Sequence, residues 1–308
     1  MSEDNKKHIV IGYLCAFAAT LFWSGNFTVA RGMTENIPPV SLAFWRWTTA
    51  VLLLMPFALK ALLADWGSIK NNLPYLVITS ILGVSLFNTL IYIAGHTTSA
   101  MNLSLIAITF PVFIIVISRF LYNETITTNK WLGIILVVTG ITTLVTKGNL
   151  SILKELTFSR GDLWMLLAAI TFALYSILLK HKPAGLGTRS FQLSTFLLGL
   201  IFLLPFYTWE SATTDFQIQL INNTTFYSIL YLGLFASLFS YILWGKAVEN
   251  IGPTRSSIIY YTLPIFSGLL AFILLGEKIE TLHLISMLLI FVGVLIAIYT
   301  PKVTASTK

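Results

Sequence analysis

Long apolar runs separated by short polar breaks occupy almost the whole chain. The first run, from Ile9 to Ala30, has no charged residue, and its 22 residues are enough to cross about 30 Å of hydrocarbon as a helix. A helix is the expected element, because lipid offers the backbone no hydrogen-bond partners. Cutting the chain at charges and at Pro, Gly and Asn clusters predicts ten such spans, near 9–30, 40–60, 73–95, 99–120, 131–146, 162–179, 190–209, 225–245, 254–275 and 282–300.

The composition agrees with a chain that lies mostly in lipid. Charged residues make up 10% of the 308 residues, against about 25% in a soluble protein. Apolar residues make up 56%, and the mean hydropathy is +0.84. The net charge of +7 comes from basic residues that stand singly in short connections, which disfavours nucleic-acid binding. We therefore expect an all-α membrane protein whose surroundings are the lipid bilayer.

The boundary between predicted spans three and four lies in a stretch of 48 residues, from Asn71 to Ser118, that holds no Asp, Glu, Lys or Arg. This stretch is too long for one crossing, since about 20 residues suffice. Its polar and flexible break is Gly95-His96-Thr97-Thr98-Ser99. The sequence therefore predicts that two helices meet there in a tight hairpin.

Lys and Arg are distributed unevenly between the two sets of connections. With the N-terminus inside, 13 of them fall in inner segments and 5 in outer segments, while Arg46 lies within a span. Cytoplasmic loops of membrane proteins carry the excess of basic residues. We therefore expect a multi-pass protein of the plasma (inner) membrane with both termini in the cytoplasm.

The second half of the chain repeats the first. Residues 99–146 align with 252–299 at an offset of 153 without a gap, and 11 of 48 positions are identical. Earlier segments match at nearly the same offset, with Ser85-Leu86-Phe87 paired with Ser237-Leu238-Phe239 at 152. Ser41 pairs with Ser190 at an offset of 149. The spacing predicts that the two halves share one fold.

Each repeat contains five predicted helices, the first within 1–148 and the second within 149–308. Because five is odd, the second repeat must enter the membrane from the opposite side. The expected fold is therefore ten transmembrane helices arranged as two inverted five-helix repeats, an architecture common among secondary transporters.

Three motifs resemble the EamA family of the drug/metabolite transporter superfamily. They are Phe22-Trp23-Ser24-Gly25-Asn26-Phe27, Asn102-Leu103-Ser104-Leu105-Ile106 leading to Thr109-Phe110-Pro111, and Gly252-Pro253-Thr254-Arg255 leading through Pro264 to Leu275-Gly276-Glu277-Lys278. The resemblance implies ten helices around a central cavity lined by spans one to four and six to nine, with spans five and ten peripheral. It also implies transport of amino acids or related small metabolites, usually as export.

Arg46 is the one charged residue predicted deep within a span. It lies about six residues, and so roughly 9 Å, from the outer end of the second helix. A charge at that depth costs at least a few kcal/mol and must face protein or water rather than lipid. Two roles fit this position. Arg46 either binds an anionic group of a substrate or ties the outer loops to carbonyls at helix ends.

Polar side chains recur at helical spacing on several predicted spans. Span three has Ser85, Asn88 and Tyr92 at steps of 3 and 4, followed after three more residues by Gly95, and span eight has a matching stripe that begins at Ser237. Unsatisfied polar groups are costly in hydrocarbon, so these faces should point inward, either to line a cavity or only to pack helices. The candidate substrate-binding residues are Trp23, Asn26, Arg46, Asn88, Tyr92, Asn102, Thr109, Tyr175, Gln192, Ser240, Tyr241, Trp244, Tyr260 and Thr262.

Prolines interrupt two predicted spans near the middle of the membrane. Pro111 in span four and Pro264 in span nine free the carbonyls of Ala107 and Tyr260. Freed backbone is tolerated in a membrane where it lines a cavity. These kinks therefore mark the level of the substrate or only shape the helix packing.

Residues near the span ends predict supporting roles. Glu124 and Glu277, matched across the repeats, are expected to cap the helices that follow them. No Asp or Glu falls in the interior of a predicted span, since Asp162 stands at the first position of span six. This disfavours a proton-coupled exporter of cationic drugs and favours facilitation or exchange. Four tryptophans are expected in the interfacial belts, namely Trp45, Trp47, Trp131 and Trp209.

The remaining motif searches exclude other classes. No catalytic or phosphate-binding pattern is present, and His96 and His283 have no partner at metal-ligand spacing. We therefore expect no enzyme, no cofactor and no metal site. The sequence predicts a secondary transporter that exports a small polar metabolite, an amino acid or related carboxylate-bearing solute, by rocking one repeat against the other. Transport of nucleotide-like or sugar-conjugate metabolites, and a membrane receptor, stay open as alternatives.

Overall fold

The protein is described by a computed structural model, and every regular element in its described part is a helix. The described residues are 3–98, 103, 106–107, 109–123, 127–146, 149, 151, 159–214, 216, 222–263, 265–266 and 281–298. Predictions for Asn102, Glu124, Pro264 and Glu277 concern positions outside them.

The helices of the first half follow the predicted spans closely. α2 begins at a proline, whose missing amide is not needed in a first turn. α3 ends at Thr97 because the backbone of Thr98 is extended, which confirms the predicted break in the stretch without charges. A short helix, Trp66–Asn71, connects α2 to α3. The helices are α1 (Glu3–Gly32), α2 (Pro39–Ala64), α3 (Leu73–Thr97), α4 (Thr109–Tyr122) and α5 (Thr128–Thr146).

The second half forms α6 (Arg160–Leu179), α7 (Thr188–Thr213), α8 (223–251), α9 (beginning at 253) and α10 (Thr281–Ile298). Ser159 caps α6 in a capping box with Asp162. Gly252 separates α8 from α9 with a φ of 79°, a conformation that favours glycine. α8 thus runs six residues past the predicted end of span eight at 245.

Six helical stretches are long and apolar enough, by length and composition, to cross a membrane. Two shorter apolar helices accompany them within α4 and α10. Large apolar side chains point outward, such as Phe57 and Phe120, which are 74% and 81% exposed. Exposed apolar surface of this kind marks contact with lipid. The chain is a multi-pass membrane protein. The six stretches are Lys6–Phe27, Pro39–Ala64, Leu73–Thr97, Arg160–Leu179, Thr188–Thr213 and Asn223–Tyr260.

The most extensive helix contacts join the two halves of the chain. α1 packs on α8, and the counterpart of this contact in the other repeat is α6 on α3. α2 packs on α7, and α5 packs on α10. Each contact is therefore matched by a contact between the corresponding helices of the opposite repeats. The largest helix contacts thus lie between the two halves, and the expected rocking of one repeat against the other stays a prediction.

Two carboxylates join α2 to α7 at opposite ends of the bundle. Glu210, in the last turns of α7, accepts three hydrogen bonds from the start of α2, two of them from Ser41, whose N lies at 2.6 Å and Oγ at 2.8 Å. Asp65, directly after α2, accepts hydrogen bonds at the start of α7 from the amide of Gly187, at 3.0 Å, and from the hydroxyl of Ser190. Negative charge is favourable at a helix N-terminus. The pair is therefore antiparallel, with a Glu210 end and an Asp65 end.

The serines of these two contacts, Ser41 and Ser190, are positions that match between the repeats. The same holds for two close approaches at glycine. A Cβ on Gly12 in α1 would lie 2.7 Å from the side chain of Ile251, and a Cβ on Gly161 in α6 would lie 2.6 Å from the carbonyl oxygen of Ala94. The match between repeats therefore extends from the sequence to individual contacts.

Candidate functional site

A buried arginine lies where α1, α2, α3 and α8 meet. Arg46 is in α2, seven residues after Pro39, and its side chain is 0% exposed. A guanidinium keeps its charge at every physiological pH. The interior of the bundle therefore holds a permanent positive charge, and the prediction that Arg46 faces protein rather than lipid is confirmed.

One edge of the guanidinium is held by α8. Nε of Arg46 donates a hydrogen bond to Oγ of Ser237 at 2.7 Å, and Nη2 donates to the carbonyl of Ala236 at 2.8 Å. The indole Nε1 of Trp23 donates to the same carbonyl at 2.9 Å. Since the two acceptors belong to consecutive residues, a single turn of α8 fixes the orientation of this edge.

The third nitrogen points to α1 and α3. Nη1 of Arg46 donates to Oδ1 of Asn88 at 2.7 Å, to the hydroxyl of Tyr92 at 2.5 Å and to Oδ1 of Asn26 at 3.2 Å. All the hydrogen-bond acceptors that the described residues offer to Arg46 are neutral. A buried guanidinium is ordinarily compensated by a negative partner. Within the described part of the chain, the charge of Arg46 therefore has no negative partner.

The groups of α8 that hold the arginine belong to a π-helical segment. α8 is π-helical over Leu232–Phe239, and α3 is π-helical over the corresponding Ile81–Leu86. The wider turn disturbs the regular backbone bonding, so carbonyls become available to donors from other helices. In α3 the carbonyl of Gly83 accepts from the hydroxyl of Tyr241 at 2.5 Å, as that of Ala236 does from Arg46 in α8. In both repeats, a backbone carbonyl of the π-helical segment thus accepts a hydrogen bond from a side chain of another helix.

Aromatic rings pack beside this polar cluster. The ring centroid of Trp23 lies 5.2 Å from that of Phe172 and 5.3 Å from that of Trp244. Phe110 lies 4.9 Å from Phe172 and 5.1 Å from Tyr260. All five side chains are buried. Because Trp23 also shares a carbonyl with the arginine, the charged and the aromatic clusters are adjacent.

Three more predicted site residues lie in the same region. The hydroxyl of Tyr241 accepts from Nδ2 of Asn88 at 3.0 Å, and its ring lies 5.9 Å from that of Trp23. Tyr175 packs on Tyr241 with the ring centroids 5.6 Å apart. Gln192 donates to the backbone carbonyl of Tyr241 at 3.1 Å, while its Oε1 has no hydrogen-bond partner among the described residues. Of the fourteen candidates, ten therefore belong to one buried region.

Other predicted site residues are not joined to the arginine by the hydrogen bonds they make. Ser240, Thr109 and Thr262 each donate to a backbone carbonyl three to five residues earlier, at 2.7, 2.6 and 2.7 Å. Pro111 lies near the start of the described part of α4. A role for these residues in binding stays a prediction, as does that of Asn102.

The belt prediction is wrong for Trp47. This side chain is 0% exposed, and its ring lies 4.7 Å from that of Phe196 and 5.0 Å from that of Tyr241. α2 turns it toward α7 and α8 rather than toward lipid. Trp131 and Trp209 are 53% and 68% exposed, as expected of belt residues.

A cleft of ≈ 510 Å³ lies at the Glu210 end of the bundle. Its walls include the connection before α2, together with His96, Glu210 and Phe216. His96 lies one helical turn beyond Tyr92 in α3, so the cleft is roughly 6 Å further along that helix than the arginine cluster. Its size suits a small metabolite. The arginine cluster therefore lies about one helical turn from the Glu210 end of the bundle.

Several contributors to these contacts are not predicted from the sequence, among them Phe110, Phe172 and Glu210. Phe110 and Phe172 are absent from the predicted site because an apolar ring on an apolar span carries no signal of its own. The predicted span seven ends at 209, one residue before Glu210, whereas α7 continues to Thr213. The match between Ser41 and Ser190 at two helix starts is the signal that could have indicated the paired caps.

Buried charges inside a helical bundle and internal repeats are features found in membrane transporters. The model of the EamA-like transporter family matches residues 10–146 and again residues 159–299. The chain belongs to the EamA-like transporter family.

Individual relatives agree with this assignment. The chain is 24% identical over 293 residues to "Uncharacterized transporter YyaM" of Bacillus subtilis (strain 168), which covers 94% of each chain. It is 27% identical over 293 residues to an "Uncharacterized transporter" of Archaeoglobus fulgidus, with 94% of this chain and 96% of the relative covered. A solved structure titled "Crystal structure of protein" has the same fold, with a TM-score of 0.73 at 18% identity over 93% of this chain and 96% of that one.

Proposed function

We propose that this chain is a secondary transporter that exports a small carboxylate-bearing metabolite, an amino acid or a related solute, by alternating access. The observation that carries this proposal is the fully buried Arg46, whose hydrogen bonds within the described residues all go to neutral groups. A carboxylate offers a planar guanidinium two charge-assisted hydrogen bonds. It would supply the negative charge that the described partners of Arg46 do not provide.

The aromatic cluster gives the proposed substrate its second contact. Trp23 touches both the carbonyl that binds Arg46 and the rings of Phe172 and Trp244. A solute whose carboxylate binds the arginine would therefore place its carbon skeleton against these rings. Aromatic side chains with a few convergent polar groups are typical of small-molecule sites.

We further propose that ten helices cross the plasma membrane as two inverted repeats, 1–148 and 149–308, with both termini in the cytoplasm. The antiparallel pair of α2 and α7, with Glu210 and Asp65 at opposite ends, supports the inversion. The excess of Lys and Arg in the predicted inner segments supports the orientation. In this arrangement the Glu210 end and its cleft face the outside.

Thiol labelling tests the orientation. In a Cys15→Ser background, Asn149→Cys should react with a membrane-impermeant maleimide added to intact cells. Labelling of this cysteine from the cytoplasmic side alone would contradict the proposed topology.

Transport by the purified protein tests the function. Vesicles that contain the protein and are filled with the unlabelled amino-acid mixture should take up a labelled mixture of the twenty amino acids and leave labelled uridine diphosphate glucose outside. Uptake of the sugar nucleotide alone would favour the alternative of sugar-conjugate transport. Binding of an amino acid without movement of any label would favour a receptor.

A variant of the arginine separates a binding role from a structural one. Arg46→Met keeps most of the volume and removes the cost of burying a charge together with its hydrogen bonds. We expect uptake to be lost while Tm stays within a few degrees, and Arg46→Lys to recover little uptake, since the two-pronged geometry is missing. Thr48→Ala is the control, because its hydroxyl bonds only to Phe44 of the same helix, at 2.9 Å. A destabilised Arg46→Met protein that still takes up amino acids would remove Arg46 from the site.

A further inference from the structure

The hydrogen bonds of Arg46 divide the guanidinium into two parts. Nε and one hydrogen of Nη2 are held by Ser237 and Ala236, a fixed turn of α8. The described residues offer no acceptor to the second hydrogen of Nη2. This hydrogen lies on the same edge as Nη1, the edge that a carboxylate binds with both oxygens.

On the Nη1 edge the acceptors are side-chain oxygens, and they outnumber the hydrogens of Nη1. Asn88, Tyr92 and Asn26 together offer three acceptors, at 2.7, 2.5 and 3.2 Å, to a nitrogen that carries two hydrogens. All three are side-chain oxygens of α1 and α3, which can turn away by a change of rotamer. The carbonyl of Ala236 belongs to the backbone and cannot.

We propose that Asn26, Asn88 and Tyr92 stand in for the substrate's carboxylate on the Nη1 edge of Arg46, and that only the substrate displaces them. This inference rests on the proposed function. It assigns Ser237 and Ala236 as positioning groups that keep the guanidinium aimed, and it makes the three side chains of α1 and α3 the groups that close the site when it is empty.

These bonds also tie helices together. Arg46 in α2 is joined to α3 through Asn88 and Tyr92, and Asn88 is joined to α8 through its bond to Tyr241, 3.0 Å long. Tyr241 in turn donates to the carbonyl of Gly83 in α3. Separating α3 from α2 and α8 in the empty protein would therefore strip a buried charge of its acceptors, which is strongly unfavourable.

A bound carboxylate changes this balance. It neutralises Arg46 and replaces the bonds to Asn88 and Tyr92, so α3 is released from α2 while the charge stays satisfied. The loaded protein can then reorient, whereas the empty protein is held. The consequence is transport by exchange, in which one substrate molecule leaves as another is carried back.

The variant Asn88→Asp tests the stand-in directly. It keeps the shape of the side chain and places a permanent carboxylate where Oδ1 of Asn88 lies 2.7 Å from Nη1. The change also removes the bond that Nδ2 of Asn88 donates to the hydroxyl of Tyr241. Because the charge-assisted bond to Arg46 is stronger than this lost neutral bond, we expect Tm to rise by about 3 °C or more. Uptake of the labelled amino-acid mixture should fall by about tenfold or more. Thr89→Ala, whose hydroxyl bonds only to Ser85 of its own helix at 2.6 Å, should change neither.

The exchange assay tests the consequence. Vesicles filled with the unlabelled amino-acid mixture should take up the labelled mixture about tenfold faster than vesicles filled with buffer. Asn88→Ala and Tyr92→Phe weaken the hydrogen bonds between α2 and α3 and leave Arg46 in place. Both variants should raise the rate of uptake into buffer-filled vesicles and so reduce the ratio of the two uptake rates. These two variants also keep the proposal testable if Asn88→Asp does not fold.

The outcomes separate the two proposals. Equal uptake by the unaltered protein into filled and empty vesicles would overturn the inference and leave the transport function intact. An Asn88→Asp protein that transports normally, or that is less stable than the unaltered chain, would overturn it as well. A rise in Tm of Asn88→Asp without amino-acid uptake by the unaltered protein would support the stand-in and refute the proposed substrate.

Discussion

The carboxylate of Glu210 makes a buried contact whose removal can be given a magnitude. In Glu210→Ala the start of α2 loses the acceptor for the amides of Val40 and Ser41 and for the hydroxyl of Ser41, at 3.1, 2.6 and 2.8 Å. Glu210 is 8% exposed, so water replaces these bonds poorly. The three donors are left without their partner at the N-terminus of a long helix.

Hydrogen bonds to a charged group contribute about 1.5–3 kcal/mol each. Three of them give roughly 5–9 kcal/mol before the desolvation of the carboxylate is subtracted, and that desolvation costs several kcal/mol. The net loss for Glu210→Ala is therefore about 2–3 kcal/mol, somewhat above the usual loss of an N-cap. A change of this size lowers Tm by about 3–5 °C in a chain of 308 residues.

The assay is thermal unfolding of the detergent-solubilised protein, followed by tryptophan fluorescence. Asp65→Ala is the matched control, because it removes the corresponding carboxylate at the solvent-exposed end of the same helix pair. We expect a smaller fall in Tm for Asp65→Ala than for Glu210→Ala, and partial recovery in Glu210→Gln, whose amide oxygen still accepts. Equal falls in Tm for the two alanine variants would refute the argument that burial sets the strength of these caps.

Two further predictions concern packing and pH. Gly161→Ala should lower the free energy of unfolding by about 1–3 kcal/mol, because its Cβ would lie 2.6 Å from the carbonyl oxygen of Ala94. Gly67→Ala is the control, since its Cβ would meet nothing within 4 Å, and its Tm should be unchanged or slightly higher. Equal Tm values for the two variants would contradict the close approach at Gly161. Hydrogen bonds from Ser190 and Gly187 lower the pKa of Asp65 below its ordinary value of 3.8, so its cap is fully formed above that pH and is lost as the pH falls through the lower folded pKa. The difference in Tm between the unaltered protein and Asp65→Asn should therefore stay constant down to about pH 4.5 and shrink below about pH 4, and a difference that grew on acidification would contradict this sign.

Much of the site follows from the free-energy cost of placing charged and polar residues in lipid, and the sequence shows where these residues lie. A charge within an apolar span has to be buried, which places Arg46 inside the bundle. Polar stripes on spans three and eight have to face inward, which brings Asn88, Tyr92 and Ser237 within reach of it. A break in the stretch without charges follows from its length of 48 residues, and the polar segment that begins at Gly95 places it.

Other features depend on geometry that single residues do not encode. The π-helical segments in α3 and α8 contain the same residue types as the surrounding helix, so the carbonyl of Ala236 has no signal in the sequence. Trp47 lies near a span end, as a belt residue does, and only the rotation of α2 decides that it faces α7. Glu210 acts on Ser41, 169 residues earlier, and such a partner cannot be found from local spacing.

The exchange of helix partners between the halves has a consequence for synthesis at the ribosome. Arg46 enters the membrane long before its partner Ser237, 191 residues later in the chain, has been made. At about 5–20 residues per second, the interval is roughly 10–40 s. Of the hydrogen-bond partners that the described structure gives the guanidinium through side chains, Asn26, Asn88 and Tyr92 are those already present in the nascent chain during that time. The three side chains that close the empty site in the finished protein are therefore also those that can shelter the charge while the second half is still being translated.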